Sequence, residues 1–216
     1  MKLVAESFAW PFRTRGRSSW ALGLIAVLLL PLLFIPLLGY AVAATRAAED
    51  DPSAGPPPWH LGLRLLSDGV WTSIAVLVMV LPFALLLNPL AGLLRSTSLQ
   101  EPYAHVVALF ILALPWGVVA LLHMPHATAR FAAGGRPSDL IDVRASLRGV
   151  RQDFVTWNVA AAAIVTGWAV GLACVGLVCV GIVPGIFYAI LVSAHASATL
   201  HHPDSRPPAG RHRAPR

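Results

Sequence analysis

Acidic side chains are the first candidates for catalysis or ion coupling in this sequence. All ten Asp and Glu residues lie outside the long apolar segments of the chain. Ion-coupled transporters usually carry an ionisable group inside the membrane, and enzymes need titratable groups that converge. The sequence also contains no phosphate-binding loop, no H-E-x-x-H and no G-x-S-x-G motif. We therefore expect neither an enzyme nor an ion-coupled transporter.

Histidine, methionine and cysteine side chains offer one further kind of chemistry, the binding of soft transition metals. His123 and His126 flank a Met-Pro pair, and Cys174 and Cys179 lie in a later apolar run. Their spacing matches no known metal site, and buried thiols of this kind usually behave as small hydrophobic side chains. The sequence therefore predicts no metal, no cofactor and no disulfide framework.

Long apolar segments indicate that this chain folds in a lipid bilayer and not in water. Its 216 residues are 56% hydrophobic and 12% charged, and their mean hydropathy is +0.69. A bilayer crossing takes roughly 20 apolar residues. Segments of that length or longer cover Trp20–Ala44, Val70–Leu94, Tyr103–Leu122 and Val155–Thr199, and the last could cross twice. The sequence predicts an all-α, polytopic transmembrane bundle with about four full spans, which forms one membrane-embedded domain over residues 18–200.

The first apolar segment carries Pro31 and Pro36 near its middle. A proline removes a backbone donor and disfavours a straight helix. If this segment enters the membrane and returns to the same side, every Lys and Arg except Arg95 lies on one side. The positive-inside rule favours that arrangement, in which both termini are cytoplasmic, over a single proline-kinked span. We expect a proline-broken or re-entrant first segment in a cell-membrane protein.

The net charge of +6 fits cytoplasmic loops that touch anionic headgroups better than it fits nucleic-acid binding. Residues 1–17 are interpreted as a basic interfacial arm, in which Phe8, Trp10 and Phe12 anchor to the headgroup layer. Trp59, Leu63, Leu66 and Val70 share one helical face, and this pattern predicts a short helix on the membrane surface. The tail, residues 201–216, is rich in Pro, Arg and His and is predicted to be disordered.

A basic amphipathic helix is predicted after the third apolar segment, with Ser138 as its N-cap. Leu140, Val143, Leu147, Val150 and Phe154 recur at helical spacing. Three arginines occupy another face: Arg144, Arg148 and Arg151. Such a helix suits an anionic headgroup layer, and the three arginines are our candidate lipid contacts. The alternative is a docking face for a protein partner.

Prolines and glycines within the later apolar segments bear on helix breaks and helix packing. Pro115 and Pro184 are candidate helix breaks in later segments. Gly167 and Gly171 form a G-x-x-x-G pair that allows close helix packing, within the chain or between copies. The regions before two of the spans also resemble each other weakly, as in a duplicated unit of broken segment, surface helix and span.

Several short motifs together resemble a known family. The chain opens with Phe8-Ala9-Trp10-Pro11-Phe12, and its first segment ends at Gly39-Tyr40 with Arg46 shortly after. Pro58-Trp59 then leads to Asp68-Gly69 and a span, although His60 stands where an acidic residue is expected. This pattern resembles a family of prokaryotic multi-pass membrane proteins known only as a domain of unknown function. The resemblance covers roughly residues 8–200 and implies a membrane-embedded bundle, but no activity, substrate or cofactor.

Two functions remain open on this evidence. The first is a non-enzymatic scaffold or accessory subunit that meets lipid headgroups or a partner at the cytoplasmic face. The second is a transporter or permease for a small apolar or amphipathic solute, since broken helices often line such sites.

Overall fold

The computed structural model describes residues 2–13, 17–97, 99–174 and 181–201, and within these ranges the chain forms helices and no strand. In chain order the helices are α1 (Lys2–Ala9), a 3-10 turn (Trp10–Phe12), α2 (Arg17–Leu28), α3 (Leu30–Asp50), α4 (Leu63–Ser96), α5 (Tyr103–Gly134), a second 3-10 turn (Pro137–Leu140), α6 (Val143–Gln152), α7 (Phe154–Ala173) and α8 (Ile182–Ala198). The predicted all-α class is confirmed. The predicted tail lies outside the described residues except for His201.

Four helices are long and apolar enough to cross a membrane: α3, α4, α5 and α7. These four candidate helices agree with the expected number of about four spans. The first apolar segment supplies one of them, and α8, which was expected to be a full span, is an apolar helix of 17 residues, close to the shortest length that crosses a bilayer. The chain is a multi-pass membrane protein.

The first apolar segment reverses its direction over residues 29–33, where the backbones of Leu29 and Leu33 are non-helical. Helix α2 ends just before Leu29 and α3 begins just after it. The side-chain hydroxyls of Ser19 and Tyr40 both donate to the carbonyl of Pro57, at 2.6 Å and 2.9 Å. In one straight helix, residues 19 and 40 would be about 31 Å apart. Helices α2 and α3 therefore form a hairpin rather than a straight span.

The four prolines predicted as helix breaks have different outcomes, and Pro31 does follow the break between α2 and α3. Pro31 lies in the first turn of α3 and Pro184 in the first turn of α8, where a missing N–H costs little because no helical acceptor is available. Pro184 therefore begins a helix and does not break one. Pro36 is internal to α3 and follows Leu33, whose backbone is non-helical. Pro115 lies inside an unbroken α5, so the break predicted there is wrong.

Trp116, which follows Pro115, links α5 to α4. The indole N–H of Trp116 donates to the carbonyl of Met79 on α4 at 2.7 Å. This carbonyl is next to that of Val78, which Pro82 leaves without its helical donor. The bond therefore joins the two helices beside an internal proline of each.

The short surface helix predicted before the second apolar segment is also corrected. Helix α4 runs without interruption from Leu63 to Ser96. Asp68 and Gly69, near its start, are both buried against other helices. Because this first part of α4 packs against α3, it continues straight into the apolar part instead of lying flat on a membrane surface.

Helices α3 and α8 lie at the centre of the bundle: α3 contacts α2, α4, α5 and α8, and α8 also contacts α1, α2, α5 and α7. Helix α3 crosses α4 where Gly39 and Gly69 face each other. A Cβ atom at Gly39 would overlap the carbonyl of Leu65, and one at Gly69 would overlap that of Ile35. Only glycine on both helices allows this backbone contact.

Helices α7 and α8 meet through a similar contact. A Cβ atom at Gly171 would lie 2.6 Å from the carbonyl oxygen of Gly185. One at Gly167 would lie 2.9 Å from Val192. Both glycines of the G-x-x-x-G pair thus face α8, within this chain.

The N-terminal arm packs into the bundle more deeply than an interfacial arm would. Trp10 is 0% exposed and belongs to the main hydrophobic core with Tyr40 and Phe187. Its ring lies 5.3 Å from that of His195 near the end of α8. Phe12 remains 66% exposed. The prediction that Trp10 anchors to headgroups is wrong, because an aromatic ring near the chain start can equally pack on a distant helix.

Replacing Gly69 by Ala should destabilise the bundle by about 1–3 kcal/mol, the usual cost of overpacking a tight contact. The matched control is Gly117→Ala, because a Cβ atom there would meet nothing within 4 Å. Alanine in an open helical position should be neutral or stabilise by up to about 1 kcal/mol. Thermal unfolding of both purified variants in detergent checks this. Equal midpoints would contradict the glycine-mediated crossing.

Candidate functional site

Polar contacts concentrate at one end of the bundle, where α3, α5 and α8 end and α4, α6 and α7 begin. We call this end the polar layer. It is defined by Ser7, Arg46, Asp68, His123, His126, Arg130, Asp142, Ser146 and His195. The opposite end, where α4 turns into α5, holds an exposed ion pair between Arg95 and Glu101.

Arg46 links three helices within this layer. Its guanidinium lies 3.1 Å from the Asp68 carboxylate on α4. Its Nε also donates to the carbonyl of Ala132 on α5 at 2.9 Å. Both charged side chains are mostly buried, so the ion pair compensates charges that water reaches poorly. The arrangement fixes the ends of α3, α4 and α5 relative to one another.

One face of α5 holds the segment that carries α6. His123 Nε2 lies 2.9 Å from the carbonyl oxygen of Leu140, and its Nδ1 lies 3.1 Å from the Ser146 hydroxyl. Because a carbonyl only accepts, Nε2 is the donor of the first bond. Arg130 donates to the carbonyls of Asp139 and Asp142. These contacts dock the second 3-10 turn and the start of α6.

A glycine on α6 makes room for a second histidine. A Cβ atom at Gly149 would lie 2.9 Å from the ring of His126. His126 is buried, and its Nε2 has no hydrogen-bond partner among the described residues. The small residue lets α6 approach α5 closely along its full length.

Helix α6 begins at Val143, and Asp142 is its N-cap. The Asp142 carboxylate accepts from the backbone N–H of Ala145 at 2.9 Å. This hydrogen bond, followed by smaller effects of Arg130 and Arg148, lowers the pKa of the Asp142 carboxyl below its usual value. The predicted cap, Ser138, lies instead in the preceding 3-10 turn. A buried Leu140 ends that turn, so the chain cannot continue straight into α6.

The outer face of α6 carries the predicted arginines. Ser146 and Val150 are buried against the bundle, whereas Arg144, Arg148 and Arg151 are all exposed. On a helical projection the arginines lie opposite the docked face. Val143 and Leu147 are exposed along one edge of the arginine face, and Phe154 is exposed just beyond the helix end. The five apolar residues predicted to share one face are therefore divided between the bundle and the outside.

Metal-ligating and nucleophilic side chains among the described residues are the candidates for a metal or catalytic site. No group of three His, Cys, Asp or Glu side chains within them could hold a metal ion. Ser7 and His195 form a hydrogen bond of 2.9 Å, as a nucleophile and base would. Ser7 is fully buried, however, and Trp10 covers the histidine ring. The pair therefore connects the N-terminal arm to α8 and is closed to a substrate.

Comparison with known proteins places the chain in a family. Residues 22–193 match the family described as Protein of unknown function (DUF4013). The chain belongs to this family. No curated protein and no solved structure shows significant similarity to it. The resemblance noted from the sequence, to a membrane family known as a domain of unknown function, is confirmed.

The residues that carried this resemblance to the DUF4013 family meet in the structure. Gly39 and Gly69 form the α3–α4 crossing, and Arg46 pairs with Asp68. Tyr40 and Trp59 stack with ring centroids 4.1 Å apart. These short motifs therefore act on packing: they hold the α2–α3 hairpin against α4. His60, where the pattern departs, is exposed.

Sequence reasoning missed the Ser7–His195 and Arg46–Asp68 pairs. The first joins residues 188 positions apart, and neither residue stands in a local motif. The second had a signal, since Arg46 and Asp68 both occurred in the family pattern and carry opposite charges. Nothing in the sequence indicated that they would be partners.

Replacing Asp68 by Leu should leave the Arg46 guanidinium buried without its counter-charge and cost about 3 kcal/mol of stability. The control is Glu101→Leu, because the Arg95–Glu101 pair is about half exposed and such pairs contribute at most about 1 kcal/mol. Thermal unfolding in detergent measures both. If the Asp68 variant unfolds no earlier than the Glu101 variant, Arg46 does not hold the three helices together.

Proposed function

We propose that this protein is a non-enzymatic scaffold or accessory subunit of the cell membrane that holds α6 against anionic lipid headgroups. The observation that carries the proposal is the orientation of α6. Its inner face is fixed to α5, and its three arginines face outward beside exposed apolar side chains. A helix that only packed against the bundle would need a polar outer face, but not one whose charges are all positive.

Arginine is well suited to this contact, because its planar guanidinium binds phosphate oxygens through paired hydrogen bonds. Val143 and Leu147 beside the arginines would enter the upper part of the bilayer, as in other interfacial helices. Each basic residue close to an anionic surface contributes about 1 kcal/mol of attraction. Three arginines on a rigid helix would thus orient the polar layer relative to the headgroups. A protein with an acidic surface could use the same face.

The charges support a cytoplasmic position for the polar layer. The described arginines at this end include Arg13, Arg46, Arg64, Arg130, Arg136, Arg144, Arg148 and Arg151. Arg95 lies at the opposite end. Positive residues favour the cytoplasmic side. The N-terminal arm and the end of α8 also lie in this layer, so both termini would be cytoplasmic.

The α2–α3 hairpin would then enter the membrane from the cytoplasmic side and return to it. Although α3 is long enough to cross, it would not do so in this arrangement, and the four crossings would be α4, α5, α7 and α8. The open end of the hairpin is held by Pro57, whose carbonyl accepts from Ser19 and Tyr40. Within the hairpin, α3 packs against α4 and α8, whereas residues 28–32 at its tip are exposed. The arms of the hairpin are therefore covered by protein, and its tip would face lipid.

The same hairpin is the observation that favours the second candidate, a transporter for a small apolar or amphipathic solute. Broken helices often form solute sites near the bilayer midplane. A solute that raises the thermal stability of the protein, and does so less after Leu29→Pro or Leu33→Pro, would favour this candidate over the scaffold.

A membrane-impermeant thiol reagent tests the orientation. In a variant without Cys174 and Cys179, a cysteine at Ser53 should not be labelled from outside intact cells. Ser53 lies in the exposed loop between α3 and α4, on the side assigned to the cytoplasm. A cysteine at Ser96, at the exposed opposite end of α4, is the matched control and should be labelled. Labelling at Ser53 would exclude the proposed orientation.

Substituting all three arginines by Gln should abolish any stabilisation of the protein by anionic lipid. The measurement compares thermal unfolding in nanodiscs of zwitterionic lipid with unfolding in nanodiscs that contain anionic lipid. Wild type should gain stability from anionic lipid, by up to about 3 kcal/mol if each arginine contributes fully. The variant with Lys at the same three positions keeps the charge and should retain most of the gain. An unchanged gain in the Gln variant would rule out α6 as the lipid contact.

A further inference from the structure

Away from the polar layer, α4 and α5 form a long hairpin that touches little else. Within the most apolar window of each helix, 17% of α4 and 6% of α5 is buried, compared with 33% for α3 and α7. Lipid tails can cover apolar side chains at no cost, so exposure of leucine and valine here needs no protein partner. A polar side chain on the same surface does need one.

Asn88 is that side chain. It lies in the apolar part of α4, seven residues before Arg95, which is about 10 Å along the helix. Its side chain is exposed and takes part in no hydrogen bond with the described residues. An amide that faces hydrocarbon without a partner is unfavourable. A lipid tail cannot supply this partner.

A free acceptor lies on the same face. Pro89 has no N–H, so the carbonyl of Leu85, four residues earlier, lacks its helical donor. Leu85 is three residues before Asn88 and is 65% exposed, and residues at this spacing are neighbours on one helical face. The face therefore presents both the donors of an amide and two acceptors, the Asn88 oxygen and the Leu85 carbonyl.

Small residues flank Asn88 along the helix. Ala84, four residues before it, is exposed. At Gly92, four residues after it, an added Cβ atom would meet only the Arg95 guanidinium, at 3.9 Å. Unlike Gly39, Gly69, Gly171 and Gly185, Gly92 is not used for a helix contact within this chain. Small residues at this spacing allow another helix to approach the backbone closely.

We propose that this face of α4, defined by Ala84, Leu85, Asn88 and Gly92, binds the same face of a second copy of this chain. Two copies inserted in the same orientation carry Asn88 at the same depth. A two-fold axis along the membrane normal then places each amide opposite the other copy's Asn88 and Leu85 carbonyl. Because an amide both donates and accepts, the face is self-complementary, as an isologous interface requires. The contact is independent of α6.

Cysteine cross-linking in membranes tests the geometry of this interface. In a background without Cys174 and Cys179, the variants are Ala84→Cys and, as control, Leu86→Cys. Leu86 is also exposed, but it lies two residues from both Ala84 and Asn88 and hence on the other side of the helix. Oxidation should give covalent dimers through position 84 and not through position 86. No dimer, or equal dimer at both positions, would overturn the proposal.

Replacing Asn88 tests the hydrogen bond. In nanodiscs or liposomes at varied protein-to-lipid ratio, Asn88→Val should weaken dimerisation at least about threefold, whereas Asn88→Gln should keep most of it. Single-molecule photobleaching counts the copies, and monomer unfolding temperature shows whether each variant is folded. A wild type that stays monomeric at all ratios would overturn the proposal. Equal dimerisation of the Asn88→Val variant and wild type would also overturn it. The same holds if, in native membranes, the cysteine at position 84 cross-links to a different protein.

Discussion

The backbone contact between Gly39 and Gly69 is the constraint on which the rest of this structure depends. It brings α3 and α4 so close that the carbonyls of Ile35 and Leu65 lie where a side chain would otherwise be. At this separation the Arg46 side chain reaches Asp68 and continues to the Ala132 carbonyl on α5. A wider crossing would separate the buried Asp68 carboxylate from the buried Arg46 guanidinium. The free-energy cost of leaving these charges unpaired is higher in membrane surroundings than in water.

A second set of contacts closes the α2–α3 hairpin on this crossing. The carbonyl of Pro57 accepts from both arms of the hairpin, and the Trp59 indole donates to the carbonyl of Ser19. Proline suits the loop, because its fixed backbone loses little entropy on folding and its carbonyl stays free to accept. Tyr40 stacks on Trp59 and belongs to the core that contains Phe187. The contacts that hold the hairpin thus lie mainly at its open end. Its tip is marked only by the non-helical backbone of Leu29 and Leu33.

Much of the fold could be predicted from the sequence, because spans and breaks leave local signals. Apolar length indicated the spans, and two prolines with an uneven distribution of arginines indicated an interrupted first segment. The periodicity from Leu140 to Phe154 indicated α6 and its arginine face, but the structure moves the cap to Asp142 and divides the five apolar residues between the bundle and the outside. The failures concern contacts between distant residues: Trp10 packs on His195, and Asp68 pairs with Arg46. The first contact places the Trp10 ring in the hydrophobic core instead of the headgroup layer, and the second keeps the start of α4 in line with the rest of the helix. No local sequence pattern encodes either contact.

The two ends of the molecule differ in how their polar groups find hydrogen-bond partners. In the polar layer, most buried charges and histidines find partners within the chain, so α6 is held rigidly and its basic face is left for another surface. In the distal α4–α5 hairpin the chain supplies few partners, and the indole of Trp116 satisfies one carbonyl near Pro82. Asn88 beside Pro89 has no equivalent of Trp116. Of the two internal prolines of α4, Pro82 has a donor from α5 bound one carbonyl away from the one it frees, whereas Pro89 has beside it only the amide of Asn88, which is unpartnered among the described residues.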